Sequence, residues 1–178
     1  MYSVKSCSVP THTLLDKYSS MDGAYVDCYS TEILGEVTFS EFIFAFYTTL
    51  LFKLERFILK LVVSKPSTDN QARQLSDGAG EKFAAWRVEN RNENELLMCD
   101  FRGRTRSWLM TIPARTVNGP RTRLYFGSAI VPIQDPKTGE PSLEFGFQAL
   151  LGFHKVYSVL LLYFAKSRIN RQRSTGAS

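Results

Sequence analysis

Histidine and cysteine are scarce in this chain, and that scarcity excludes most metal and nucleophilic centres. Its three cysteines, Cys7, Cys28 and Cys99, lie far apart without a C-x-x-C pair. An odd, widely spaced set reads neither as a disulfide framework nor as a metal site, and it fits a reduced, cytoplasmic protein. Of the two histidines, only His154 falls within a regular element. No G-x-S-x-G, H-E-x-x-H or P-loop occurs, so no nucleophile and base stand at a recognisable spacing. Neither a metal nor a cofactor is expected. Long apolar runs are missing too. The longest uncharged stretches of the two apolar helices are Phe42–Phe52 and Val156–Ala165, well short of the roughly 20 residues a membrane span needs. Met1–Ser20 mixes Lys5, Pro10, His12, Asp16 and Lys17 with short apolar pieces and lacks the apolar core of a secretion signal. Zinc-finger spacing, RNA-recognition aromatics and a basic region continued by heptads are also absent, which argues against nucleic acid as a partner.

What is present is a sequence suited to one domain. The 178 residues fall in the ordinary single-domain range, and the 44% hydrophobic fraction is enough for a core without staples. Thirteen Phe and eight Tyr imply either an aromatic core or an aromatic-lined pocket. The net charge is +5. Part of that excess sits in Lys166, Arg168, Arg171 and Arg173, which suit the negative end of a helix or a solvated tail, and secondarily an anionic surface.

Residues 1–22 read as a loosely ordered arm, 23–170 as the folded domain and 171–178 as a basic disordered tail. Tyr25–Ile33 reads as a first strand, with Tyr25, Asp27, Tyr29 and Thr31 on one face. Thr38-Phe39-Ser40-Glu41 is a capping box, with Val37 and Phe42 placed as a hydrophobic staple. Apolar residues at helical spacing from Phe42 carry that helix to Leu61, and Ser64-Lys65-Pro66 stops it. Thr68-Asp69-Asn70-Gln71 caps a short helix through Leu75. Four strands follow: Phe83–Asn90, Glu95–Phe101, Thr105–Ile112 (ended by Pro113) and Arg121–Val131. Arg102-Gly103-Arg104 and Val117-Asn118-Gly119-Pro120 form the intervening turns. Gly103, Gly119 and Gly127 read as turn or bulge glycines rather than phosphate cradles. The final helix runs from about Phe147 to about Arg168.

Two groups of side chains are candidates for a site. Arg104, Arg106, Trp108, Met110 and Ile112 share a strand face. Asp100, across the short hairpin, reads as a partner for Arg104 or Arg106 beside Trp108, either as a polar anchor or as a solvated ion pair of little energy. His154 lies on the stripe Phe147, Leu150, Leu151, His154, Tyr157/Ser158, Leu161 and Phe164/Ala165. A histidine there either orients a ligand and exchanges protons near neutral pH, or serves as a satisfied core group.

Strand, apolar helix, strand meander and long C-terminal helix together resemble the START-like and Bet v 1-like helix-grip superfamily (SRPBCC). More narrowly, three segments resemble an uncharacterised bacterial domain of unknown function within it. They are the helix Phe39–Leu61, the stretch Trp86-Arg87-Val88 through Glu95-Leu96-Leu97 to Asp100, and the run Leu124-Tyr125-Phe126 continuing to Gly152-Phe153-His154-Lys155. The resemblance spans most of residues 24–169. It implies an α+β helix-grip fold: a curved antiparallel sheet wrapped around a long C-terminal helix, with a cavity between them. One departure is the long, strongly apolar helix after the first strand, which fills space that could otherwise be cavity. Relatives hold sterols, phospholipids, polyketides or plant hormones, and some are enzymes such as aromatase/cyclases. The leading expectation is therefore non-catalytic binding of a small hydrophobic or amphipathic ligand. Trp86, Asp100, Arg106, Trp108, Tyr125, His154 and Tyr157 form the expected ligand-binding set, with Arg106 as an anionic anchor. A cyclase or hydrolase using His154 as acid/base is the alternative. A module binding a partner or a membrane surface through the basic C-terminal end is the third reading, and a homodimer is a further partner expectation.

Overall fold

A computed structural model of the chain describes residues 3–53, 67–117, 119–134, 141–142 and 145–176. Its elements in chain order are β1 (Lys5–Ser6), α1 (Asp16–Ser19), β2 (Tyr25–Leu34), α2 (Phe39–Tyr47), α3 (Asp69–Ser76), β3 (Lys82–Phe83), β4 (Trp86–Arg91), β5 (Glu95–Asp100), β6 (Thr105–Thr116), β7 (Gly119–Ile130), the two-residue strands β8 (Ile133–Gln134) and β9 (Pro141–Ser142), and α4 (Phe145–Gly176). Seven strands form one antiparallel sheet in the order β1-β2-β7-β6-β5-β4-β3. The first long strand thus joins the last, from Tyr25↔Ile130 to Leu34↔Arg121. The architecture is α+β, an open antiparallel sheet with the C-terminal helix packed on one face, and it is compatible with a helix-grip fold.

The local signals act where they stand. Thr38 Oγ1 accepts the Glu41 amide at 3.1 Å while Glu41 Oε2 accepts the Thr38 amide at 2.8 Å, so two orphan donors at the start of α2 are satisfied reciprocally. Thr68 and Gln71 do the same for α3. Gly103 (φ 73°) and Gly119 (φ 104°) supply the left-handed backbone of the β5–β6 and β6–β7 turns.

Four elements depart from the sequence expectation. The helix beginning at Phe39 breaks at Thr48–Thr49, because both hydroxyls turn onto preceding carbonyls: Thr48 Oγ1 on Phe44 O at 2.5 Å, Thr49 Oγ1 on Phe46 O at 3.1 Å. Thr49 then accepts the Phe52 amide at 3.1 Å, capping a new turn over residues 50–53. The rest of the expected span to Leu61, and the stop at Ser64–Pro66, lie outside the described residues. The expected strand from Phe83 is folded in two, because Ala84 takes a positive φ of 53° and pairs Phe83 back on Trp86. Pro113 does not end β6. The last β5–β6 pair is Glu95↔Met110, so a missing N–H three residues on costs no ladder bond on that side. The helix α4 continues to Gly176, through most of the segment expected as a disordered tail. Its Arg173 hydrogen-bonds the carbonyls of Leu34 and Glu36 and ties the helix end to the β2–α2 loop.

The sheet is covered on both faces. One face packs against the helices through Ile33, Leu96, Met98, Leu109, Leu124 and Phe126, meeting Phe42, Phe46, Leu161 and Leu162. The other packs Leu97, Trp108, Met110 and Tyr125 against Leu15 and Tyr18 of the N-terminal arm. The arm is therefore docked rather than loosely ordered. Leu15 is fully buried, and Glu95 Oε2 accepts both the Leu14 amide at 2.7 Å and Trp108 Nε1 at 2.8 Å. Buried donors of this kind are costly to orphan, so a single carboxylate fixes the arm and the indole together. At the bulge between Val88 and Asn90, Glu89 is left to pair with Arg106 at 2.8 Å and Lys17 at 2.7 Å.

Candidate functional site

A polar cluster lies where β2, β7 and α4 meet. Strand alternation puts Tyr25, Asp27 and Tyr29 on one face, as the sequence expects, and it is this face that meets the helices. The β2–β7 register sets Asp27 directly opposite Ser128. Helical spacing then presents His154, Tyr157, Ser158 and Leu161 from one face of α4. Ser128 Oγ donates to Asp27 Oδ1 at 2.5 Å, and Tyr25 OH donates to Oδ2 at 3.1 Å. His154 Nε2 lies 2.8 Å from Ser128 Oγ and 3.5 Å from Asp27 Oδ2. Because the single Ser128 proton goes to the carboxylate, Nε2 must carry a proton to donate to Ser128 Oγ. Tyr25 also meets the imidazole edge to face, with ring centroids 6.1 Å apart.

Electrostatics follow from this arrangement. Burial by itself would raise the Asp27 pKa, but hydrogen bonds from His154 and Ser128 outweigh it and hold the carboxyl below its ordinary value of 3.8. Burial first, and then the Asp27 charge, push Tyr25 well above the usual phenol range and Tyr29 up to about 12. Both phenols are thereby kept as donors. A depressed carboxyl contributes stability above its unfolded pKa and loses it as pH falls through the folded one. Urea melts from pH 7 down to pH 2 should therefore show stability falling as pH drops through and below the range near 3.8, where the unfolded carboxyl takes up its proton. Asp27→Asn should flatten that fall, and an unchanged acid limb would show the cluster to be electrostatically idle.

Beside the cluster lies a cavity of about 190 Å³ between the sheet and α4. Its apolar wall is Phe46, Phe52, Phe126 and Leu161, and its polar wall includes Ser107, Ser128, His154 and Ser158. Ser158 is fully buried, and its hydroxyl has no hydrogen-bond partner among the described residues. On the outer side of Asp27, an open groove of about 600 Å³ runs between the β1–β2 edge and α4, bordered by Tyr25, Asp27, Tyr29, Lys155, Val156 and Cys7.

The expected site residues divide between the two faces. Trp86, His154 and Tyr157 meet at the cavity. Trp108 and Tyr125 lie in the core under the arm, on the far side of the sheet. Arg106 borders the cavity from its strand, but its guanidinium engages Glu89 and the Tyr18 hydroxyl at 2.8 Å each. Among the described residues, Asp100 is seen on the backbone of the turn rather than on either arginine side chain. Its carboxylate caps the turn, accepting the Arg104 and Thr105 amides at 2.7 and 3.1 Å. Much of the basic C-terminal end is also engaged within the fold, Lys166 on Thr31 Oγ1 at 3.1 Å and Arg173 on the β2–α2 loop. Asp27 and Ser128 were not singled out as site residues by the sequence, whereas Ser158 stood there beside Tyr157 as a natural partner of His154 on the helix stripe. The one available signal for Asp27 was a carboxylate on the same strand face as Tyr25 and Tyr29.

Among the described residues, no three His, Cys, Asp or Glu side chains gather in a metal-holding group, and no helix is long and apolar enough to cross a membrane. No family model matches the chain, and no curated protein matches its sequence.

Proposed function

We propose that the protein binds a small amphipathic molecule, non-catalytically, in the cavity between the sheet and α4. The observation that carries this reading is Ser158. Its hydroxyl is buried on the cavity wall without a partner among the described residues, and such a group costs about 1–3 kcal/mol to leave unsatisfied. A ligand with a carbonyl or hydroxyl beside an apolar ring would satisfy it while the ring lies on Phe46, Phe52 and Phe126. The volume sets the scale. A dry cavity of about 150 Å³ holds benzene, so about 190 Å³ suits a single substituted ring rather than a sterol or phospholipid. His154 is the natural orienting group, and Asp27 and Ser128 fix its tautomer. Ser128 gives its proton to Asp27 rather than to the imidazole, so it is not arranged as a nucleophile activated by His154.

Native mass spectrometry of the purified protein, then calorimetric titration with phenols, benzyl alcohols and plain benzene derivatives, tests the reading. Leu161→Trp should fill the space and abolish binding with the fold intact by circular dichroism. Ser158→Ala should weaken the hydroxylated ring about 5–30-fold, the equivalent of one buried hydrogen bond, and leave the unsubstituted ring unaffected. Binding that survives Leu161→Trp would sink the proposal.

A further inference from the structure

Cys7 and Cys28 are separated by 21 positions, and the fold brings them together. β1 runs antiparallel to β2 with Lys5↔Ser30 and Ser6↔Tyr29 in register, so the next pair along is Cys7 opposite Cys28. The Cys7 amide donates to the Cys28 carbonyl at 2.9 Å, and the two sulfurs lie 3.4 Å apart. Residues directly opposite in a hydrogen-bonded antiparallel pair have Cα atoms about 5.5 Å apart, inside the span a disulfide bridges. Closing from 3.4 Å to the bond length of about 2.05 Å needs side-chain motion rather than rearranged backbone. Both cysteines border the open groove, Cys7 half-buried and Cys28 buried.

We propose that Cys7 and Cys28 form a peroxide-reactive dithiol, with Cys7 as the attacking sulfur and Cys28 as the resolving one. Cys7 packs at the rim of the arm-side core and is only half-buried, so its exposed part admits a hydroperoxide. The Cys7 thiolate attacks the terminal oxygen, the O–O bond breaks, and the departing alkoxide takes a proton from solvent to leave as an alcohol. Cys7 becomes a sulfenic acid. The Cys28 sulfur then attacks the Cys7 sulfur, the S–S bond forms, and hydroxide leaves with the Cys28 proton as water. Two thiols are oxidised to one disulfide while one peroxide is reduced.

The asymmetry between the two sulfurs fits these roles. Hydrogen bonding with Cys28 comes first, and despite the opposing effect of burial this, with Ser30 and the charge of Arg123, draws the Cys7 pKa from 9.0 down to about 6. That same bond, followed by burial, pushes Cys28 up. Tyr25, Asp27, Tyr29 and Lys155 are the other titratable groups bordering the groove. Cys99 provides an internal contrast. It is fully buried, and burial raises its pKa. No third ligand joins the pair in a metal-holding group among the described residues, which favours redox chemistry over metal binding. The disulfide would link the arm to β2 across a loop of 21 positions, stabilising the oxidised form by restricting the unfolded chain.

The test uses the full reduced chain and hydrogen peroxide. One equivalent should produce an intramolecular Cys7–Cys28 disulfide in a non-reducing peptide map, reversed by dithiothreitol, with Cys99 still free. Iodoacetamide labelling of Cys7 should be half-maximal near pH 6. Against a thiol at the ordinary value of 9.0, the thiolate fraction at pH 7 is about 90-fold higher, offset about 15–30-fold by lower intrinsic nucleophilicity. Labelling should therefore run about 3–6-fold faster than at an exposed model thiol. With Cys28→Ser, dimedone should trap a sulfenic acid at Cys7; with Cys7→Ser, no adduct should appear at Cys28. Should Cys28→Ser fail to fold, Cys28→Ala replaces it, and the map of the unmodified chain decides by itself. Equal oxidation rates at Cys7 and Cys99, or only intermolecular disulfides, would overturn the proposal.

Discussion

Phe46→Ala should lower stability by about 4 kcal/mol, at the high end for a buried ring truncated to alanine. Phe46 is fully buried at the centre of the helix-side core. Its ring meets Phe126 at 4.9 Å, Tyr47 at 5.2 Å, and Phe42 and Phe52 at 6.1 Å each. Well-oriented aromatic pairs add about 0.5–1.5 kcal/mol apiece beyond area burial, and the substitution removes four. Phe46 also borders the cavity, so the space it vacates joins one already there and the walls cannot collapse to fill it. The cost of a core truncation rises with the residual void. Against a typical total of about 5–15 kcal/mol, that is roughly a quarter to four-fifths of the stability of the fold. Equilibrium denaturation in guanidinium followed by far-ultraviolet dichroism measures this, with an unchanged slope and a lower midpoint. A loss under about 1.5 kcal/mol would mean that the core relaxes around the site and that the ring is not its keystone.

Gly127→Ala should cost about 2–3 kcal/mol, in the upper part of the range for overpacking, and its first effect should be to loosen the arm. The glycine sits within β7 opposite Cys28, and its role is close approach rather than a turn or bulge. A Cβ there would lie 2.5 Å from Leu15 Cδ2, 2.9 Å from the Asp27 carbonyl oxygen and 3.1 Å from Trp108 Cε3. Leu15 is the one flexible neighbour, but it is fully buried between sheet and arm, so it can yield only by lifting the arm. Limited proteolysis should then cut within residues 8–22 well before the sheet unfolds. The double variant Gly127→Ala/Leu15→Ala separates the causes. If the methyl acts through Leu15, the loss in the double variant should fall short of the sum of the two single losses by about 0.5–3 kcal/mol. Strict additivity would place the clash with Trp108 or the backbone instead.

Features that depend on a few neighbouring residues were legible in the sequence. The capping boxes at Thr38 and Thr68, the turn glycines 103 and 119, and the inward stripe through His154, Ser158 and Leu161 each follow from local chemistry or helical period. Strand parity was legible as well: Arg106, Trp108 and Met110 do share a face. What parity cannot say is which face the helices cover, since both faces of a half-buried strand look alike until the covering element is known. The helix-facing set is Thr105, Ser107 and Leu109 instead, and Trp108 went to the arm. The arm escaped notice because Leu14, Leu15 and Tyr18 sit among serines and threonines without a period, and they bury by tertiary docking alone. Asp27 and Ser128 are 101 positions apart, and only the pairing register of first and last long strands brings them together. Cys7 and Cys28 were hidden for the same reason, as β1 is two residues long.

The brevity of the outermost strands has its own consequence. An exposed strand edge is a template on which a second chain can add, the route to aggregation and amyloid. Here the long strands β2, β6 and β7 lie inside the sheet, and the edges are closed by β1 and β3, each two residues long. β1 pairs with Ser30 and Tyr29 of β2, and β3 with Arg87 and Trp86 of β4, so each covers part of its neighbour's margin while offering little edge of its own. The arm therefore guards against misassembly as well as filling a core: detach it, and the middle of the ten-residue β2, now paired by β1 at Tyr29 and Ser30, becomes available to the next molecule.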